Sequence, residues 1–232
     1  DRFILSKGHA VPLLYAVYYQ LGCITDAELL SLRDGQQLEG HPTPHFPFTQ
    51  AATGSLGQGL AVGVGMAIAA KYAALQQRIC VLLGDGELAE GSVWEAAASA
   101  AHFKLSQLIV FIDCNRLGQS GPTQHEHHAE QIAQKFHEFG WHSLVIDGHS
   151  FSQIIDAYHM ATSMVDIPTA IVCVTKKGKG IEAIEDQLGW HGKLLSREQA
   201  GIAIAHLQAQ QKHSVAVVHG ALVFAAPQAV SR

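Results

Sequence analysis

Short, largely apolar runs alternate with longer stretches of helical spacing along most of this chain. The runs at 79–83, 108–112, 143–146 and Thr169–Val174 lack the polar alternation of half-exposed strands, so they read as strands buried on both faces of a parallel sheet. Between them, 92–102, 129–139 and Phe151–Thr162 have the length and periodicity of helices that cross from one strand to the next. Upstream, 12–21 is an apolar helix and Thr25-x-x-Glu28 is a capping box that opens another. The Pro-rich stretch 40–50 reads as an extended loop. Residues 55–75 form a helix rich in Gly and Ala, and Ser196-x-x-Gln199 caps a last helix that runs to Gln211. The expected class is α/β: a doubly wound, mainly parallel sheet with helices on both faces. The cofactor-scale domain is expected to span residues 1–195, with 196–232 as a helix and tail; 214–226 is apolar and β-prone and has no assigned role.

Gly59 and Gly63 fall on one face of the 55–75 helix, and small residues at that spacing let another backbone come close. This predicts a helix deep in a dimer, its small face against its counterpart or a partner domain. Leu at position 63 is then expected to disturb association more than the sheet.

Composition adds little to this picture but removes some possibilities. The chain of 232 residues is long enough for one sizeable core, and only 15% of it is charged, so part of its quiet surface is expected to be an interface. A net charge of -5 without a local lysine cluster argues against nucleic acid or an anionic membrane as partner. Cys23, Cys80, Cys114 and Cys173 are far apart and show no Cys-x-x-Cys spacing, which fits a reducing compartment. With no signal-like or membrane-spanning run, the expected location is cytoplasmic. The first residue is not Met and the chain opens in mid-motif, as expected of a fragment or processed form.

The candidate chemistry lies just past two strands. Gly84-Asp85-Gly86-Glu87 follows 79–83, and Asp113-Cys114-Asn115-Arg116-Leu117 follows 108–112. Carboxyl ends of strands are where open α/β sheets bind ligands. Asp85 offers a charged oxygen, Asn115 a neutral one and Leu117 a backbone carbonyl, a set that suits a hard octahedral cation carrying a diphosphate, hence Mg²⁺ or another divalent ion. The tripeptide alone is also met in ordinary turns.

Its surroundings carry a resemblance. Leu5-Ser6-Lys7-Gly8-His9-Ala10, Gly40-His41-Pro42, Thr53-Gly54-Ser55-Leu56-Gly57-Gln58-Gly59, Gly84-Asp85-Gly86-Glu87-Leu88, Asn115-Arg116-Leu117-Gly118-Gln119-Ser120 and Trp190-His191-Gly192 resemble the transketolase motifs, in transketolase order. That resemblance implies a thiamine-diphosphate-binding fold that helps move a two-carbon ketol unit between sugar phosphates in the pentose phosphate pathway. By the same resemblance Asp85, Asn115 and the Leu117 carbonyl hold the metal. Gly86 meets the diphosphate through its N–H, and Gly54, Ser55 and Leu56 meet the aminopyrimidine through backbone groups. Lys7 and Lys177 balance diphosphate charge, and Gln119 is a cofactor-side amide. His9 and His191 approach the cofactor and reacting carbonyl, and His41 a substrate hydroxyl; an imidazole suits a proton shuttle near neutral pH.

Other residues are read as structural. Glu87 is expected to support the interface at the cofactor and Glu90 to lead into the next helix. The His-rich stretch 125–128 is read as solvated surface rather than a metal cluster. The resemblance also implies parts that this chain is expected to lack: an upstream Ser/His segment, and a pyrimidine-binding domain with the activating glutamate. The expectation is therefore half a site, inactive alone, completed in a homo-oligomer or by a complementary pyrimidine-binding subunit. The alternatives are a related enzyme of the deoxyxylulose-phosphate or dihydroxyacetone synthase type, or a catalytically silent paralogue that acts as a binding module.

Overall fold

The computed structural model describes residues 1–35 and 38–211. Five strands form one parallel sheet: β1 (Arg2–Leu5), β2 (Ile79–Gly84), β3 (Leu108–Cys114), β4 (His142–Asp147) and β5 (Thr169–Val174). Their spatial order is β1-β2-β3-β5-β4. All four pairings are parallel, with Gly84 opposite Asp113 and Asp113 opposite Cys173 at the carboxyl ends. Helices α1 (Val11–Gln20), α2 (Asp26–Leu30), α3 (Gln58–Tyr72), α4 (Gly91–His102), α5 (Ala129–Glu138), α6 (Phe151–Thr162) and α7 (Arg197–Gln211) fill the connections.

The apolar strand runs explain the layering. Ile79, Val81, Leu83, Leu108, Val110 and Ile112 turn one face of the sheet onto α3, α4 and α5 in the main core. Ile109, Ile171 and Cys173 turn the other face onto α6, while Leu5 joins α1 and the 40–50 loop around Tyr15, Leu38 and Phe46. Helices on both faces of a parallel sheet are what the sequence pattern predicts. Both capping boxes form. Thr25 Oγ1 accepts from Glu28 N while Glu28 takes the Thr25 N–H, and Ser196 and Gln199 make the same exchange. The stretch 214–226 lies outside the described residues.

Two expectations fail. The strand β1 has no counterpart in the sequence reading, because it is short and its last residue belongs to the Leu5–Ala10 motif. It nevertheless pairs with β2 from Arg2 opposite Ile79 to Leu5 opposite Leu82. The second failure concerns α3. A Cβ on Gly59 would stand 2.4 Å from Ser6 Oγ, and one on Gly63 would stand 2.6 Å from Val81 Cγ2. The small face therefore packs on the chain's own sheet, and no partner is needed to explain it. The opposite face, with Ala61, Gly65 and Ala69, is exposed.

This reversal is testable by substitution. Gly63→Leu should destabilise the fold by about 1–3 kcal/mol, as overpacking typically does. Gly65, around which a Cβ would meet nothing within 4 Å, is the control. Gly65→Ala should be neutral or stabilise by about 0.5–1 kcal/mol through helix propensity. Urea midpoints of the two variants check both signs.

Candidate active site

Four strands end on one side of the sheet and deliver the chemistry there. β1 runs into Ser6, Lys7 and the tight turn Gly8–Ala10 that holds His9; β2 runs into the turn Asp85–Ala89. β3 ends at Cys114 just before Asn115, and β5 ends just before Thr175 and Lys177. Together they floor an open cleft of about 1360 Å³. Lys7, His9, His41, Gly54, Leu56, Asp85, Gly86, Asn115, Leu117, Gln119, Lys177 and His191 all line it. Of the catalytic, cofactor and metal candidates, Ser55 alone does not line it and sits exposed on the adjoining turn. The cleft continues into an apolar trough bordered by Phe3, Leu13, Val17, Phe111 and Ile154, which accounts for part of its volume.

The oxygen donors are held by hydrogen bonds from neighbouring segments. Asp85, 5% exposed, accepts from Gly86 N (2.9 Å), Arg116 N (2.8 Å) and Thr123 Oγ1 (2.9 Å). Asn115, 7% exposed, donates its Nδ2 to Asp113 (2.9 Å) and accepts the Leu117 N–H at Oδ1 (3.1 Å). The Leu117 carbonyl accepts from the Lys177 ammonium at 3.2 Å. Burial pushes the Asp85 carboxyl up, the bonds from Thr123 and Arg116 oppose this, and nearby Asp113 adds to the rise. A buried carboxylate under that strain, with no cationic side chain bonded to it, beside two neutral oxygens, is a donor set that a hard divalent cation fits. The Gly86 N–H is taken up by the Asp85 carboxylate.

The three histidines come together although they are distant in sequence. The rings of His9 and His191 lie 4.7 Å apart, and the His41 ring packs on Gly54, whose Cβ would meet it at 2.5 Å. Lys177 Nζ lies 3.0 Å from His191 Nδ1. An ammonium only donates, so Nδ1 accepts and the neutral ring carries its proton on Nε2. The outer side of His9 is exposed, yet burial of its inner side lowers it to about 4, helped by Lys7, His191, Lys177 and His41. His191 is lowered by burial and then by Lys177 and Lys7.

Asp113, which sequence reasoning did not assign, and Glu87, expected at an interface but bonded within the chain, hold this arrangement. Asp113 accepts from the Lys7 ammonium, the Thr175 hydroxyl and Asn115. Burial would push it up, but Lys7, Thr175 and Asn115 outweigh that and hold it below its ordinary range. Its position at a strand end, two residues before a ligand amide, is the signal that marks it. Glu87, 1% exposed, accepts from Ser6 Oγ (2.6 Å), Gly57 N (3.0 Å) and Gly84 N (2.9 Å). Its oxygens are thus used inside the chain, stitching β1, β2 and the start of α3. Gly57, at φ 82°, permits the sharp entry to α3 that aims this N–H. Glu90 precedes α4 as expected.

The 125–128 stretch departs in part from the solvated surface expected of it: Glu126 and His128 are exposed, but His125 and His127 are drawn in. His125 is 6% exposed with its Nε2 2.9 Å from the Lys135 ammonium, and His127 Nε2 donates to the Thr175 carbonyl at 3.1 Å. The stretch folds back over the end of β3, where the Cys114 thiol meets the Glu126 carbonyl at 3.1 Å. Among the described residues, no group of three or more His, Cys, Asp or Glu side chains is placed to hold a metal. Nor is any helix among them long and apolar enough to cross a membrane.

Comparison with known proteins identifies the fold and the family. The family model for the transketolase thiamine diphosphate binding domain matches residues 1–220. Human transketolase is 47% identical over 212 residues, covering 90% of this chain and 34% of that protein. An apulose-4-phosphate transketolase subunit of Phocaeicola vulgatus is 38% identical over 200 residues, covering 86% of this chain and 71% of that protein. Campylobacter jejuni transketolase superposes with a TM-score of 0.81 at 31% identity, over 90% of this chain and 34% of that one. A Pichia stipitis transketolase complex with sedoheptulose-7-phosphate gives 0.76 at 29% identity, over 91% and 36%. The chain spans about a third of the length of the first transketolases it matches. From its parallel sheet to the cleft at its strand ends, the chain belongs to the transketolase family, in the part that forms the thiamine-diphosphate-binding domain.

Proposed function

We propose that this chain supplies the diphosphate- and cation-binding half of a transketolase, with residues 1–195 forming the site and 196–232 outside it. The observation that carries this reading is the convergence of Asp85, Asn115 and Leu117 at adjoining strand ends, beside His9 and His191. Bound there, thiamine diphosphate supplies the carbanion chemistry that cleaves and rebuilds a ketose. Asp85, Asn115 and the Leu117 carbonyl hold Mg²⁺ or a similar divalent ion. Lys7 and Lys177 balance diphosphate charge, Gly54 to Leu56 and Gln119 border the cofactor, and Gly86 approaches the diphosphate. His9 and His191 remain neutral at cellular pH, free to take or give a proton at a ketose oxygen, while His41 meets a substrate hydroxyl.

The substrates are ketose and aldose phosphates exchanging a two-carbon unit in the pentose phosphate pathway, in the cytoplasm. The other half of the site comes from a pyrimidine-binding domain, in a second polypeptide or across a dimer. The similarity of most of this chain to a protein that is itself one subunit of a transketolase supports a divided site.

Calorimetric titration of the chain with thiamine diphosphate and Mg²⁺ should show binding that chelator abolishes and that Asp85→Ala removes. Heat unchanged by Asp85→Ala would place the cation elsewhere. Donor-dependent aldehyde release should stay at background for this chain alone and appear on adding a pyrimidine-binding domain; turnover without it would reject the divided site.

The lowered histidine gives a pH signature. His9 titrates near 4 in the fold and at about 6.5 in the unfolded chain, so the unfolded state binds more protons between those values. Stability should therefore be full above about pH 6.5 and fall as pH drops toward about 4. Urea midpoints at about pH 7.5 and about pH 5 should diverge less in His9→Gln than in the parent.

A further inference from the structure

The segment 176–193 brings both Lys177 and His191 to the cleft, so what fixes it fixes them. At its base, Lys176 N donates to His149 Nε2 at 2.8 Å, and the Lys177 ammonium reaches the Leu117 carbonyl. Among the described residues, every hydrogen bond from residues 178–193 to the chain outside 176–193 runs between Arg116 and Asp186. Arg116 Nε donates to Asp186 Oδ1 at 2.9 Å, Nη2 lies 2.8 Å from Oδ2, and Nη2 also reaches the Asp186 carbonyl at 3.4 Å. This is the forked geometry that only a guanidinium offers a carboxylate.

Arg116 is also part of the cation loop. It follows Asn115 directly, donates its own N–H to Asp85 at 2.8 Å, and accepts Thr123 N at its carbonyl at 2.8 Å. On the other side, Asp186 N donates to the Lys177 carbonyl at 2.8 Å. Arg116, Asp186, Lys177 and Leu117 thus close a ring of contacts that joins the oxygen donors to the arm carrying His191. Both members of the pair sit at positive φ, 62° and 57°, where side-chain-bearing residues are uncommon and the surroundings must hold them. With side chains 30% and 29% exposed, the pair adds little to overall stability, and its role is geometric.

We propose that Arg116 and Asp186 are positioning residues, a clasp that sets the His191 arm over the cleft and ties its placement to the Asp85–Asn115–Leu117 donors. The coupling to cofactor rests on the functional reading above; the clasp itself does not.

The test uses the chain with Arg116→Gln, Asp186→Asn, Asp186→Glu and the charge-swapped double variant Arg116→Asp/Asp186→Arg. Amide exchange, followed without any cofactor, should speed up about tenfold across 177–191 in Arg116→Gln and Asp186→Asn, the scale of a lost charged hydrogen bond. It should return toward the parent rate in Asp186→Glu and the swap, with β2 and β3 unchanged in all four. Titration with Mg²⁺ and thiamine diphosphate should then show affinity lowered about tenfold in Asp186→Asn and regained in Asp186→Glu, as for residues that orient metal ligands. Unaltered exchange across 177–191 would overturn the clasp. Faster exchange with undiminished affinity would overturn its coupling to the cation donors. A parent chain that binds no cofactor would overturn the functional reading instead, and the exchange rates would still decide the clasp.

Discussion

The partly buried carboxylate of Asp113, its side chain 21% exposed, is the constraint on which the rest of the site depends. A carboxylate taken out of water is costly unless charge and hydrogen bonds surround it. Here the compensation comes from Lys7 after β1, Thr175 after β5 and Asn115 two residues on. Parallel register makes that possible, since Asp113 stands opposite Gly84 on one side and Cys173 on the other. Removing any one donor would leave part of the charge uncompensated, so the ends of β1, β3 and β5 are pinned together. Pinning them also aims the site. With its amide nitrogen given to Asp113, Asn115 turns its oxygen to Leu117 N.

Charge in the cleft follows from the same arrangement. Lys7 is neutralised by Asp113, whereas Lys177 has no carboxylate bonded to it and donates instead to a carbonyl and an imidazole. Burial first, and then these cations, lower His9 and His191. Under the proposed function, an uncompensated ammonium, neutral imidazoles and an Asp85 carboxyl pushed upward would suit an anionic ligand that brings a divalent ion with it. A metal diphosphate is such a ligand.

The fold and the cleft were legible to different degrees, for physical reasons. Strands β2, β3 and β5 announce themselves as apolar runs because both of their faces are covered. The edge strand β1 is short, and its signal is overlaid by residues chosen for the site. Among site residues, those with unusual chemistry next to glycine stood out, Asp85, His9, His41 and His191, and Asn115 stood out by its place just past a strand. The residues that hold them, Thr123, Thr175, Asp186 and the Arg116 side chain, are ordinary loop residues whose partners lie dozens of positions away, and no local pattern marks them. The misreading of α3 has a different origin. Small residues four apart state that something comes close, and do not state what; here Ser6 and Val81 of the same chain fill the space. His125 and His127 show the same limit, since a polar stretch folded back on a strand end is partly buried by topology that its composition does not express.

The acidic residues of the cleft argue for a divided site. Asp85, Glu87 and Asp113 are the carboxylates that line it among the described residues. Each is already committed: Asp85 to the Gly86 and Arg116 amides and the Thr123 hydroxyl, Glu87 to Ser6, Gly57 and Gly84, and Asp113 to Lys7, Thr175 and Asn115. A carboxylate that must exchange a proton with the aminopyrimidine needs an oxygen free to face that ring. Freeing Glu87 or Asp113 would undo the contacts that assemble the strand ends, and freeing Asp85 would give up the cation. Under the proposed function, an activating glutamate would therefore come from a surface other than this cleft's own wall, meeting it at the cleft's open mouth.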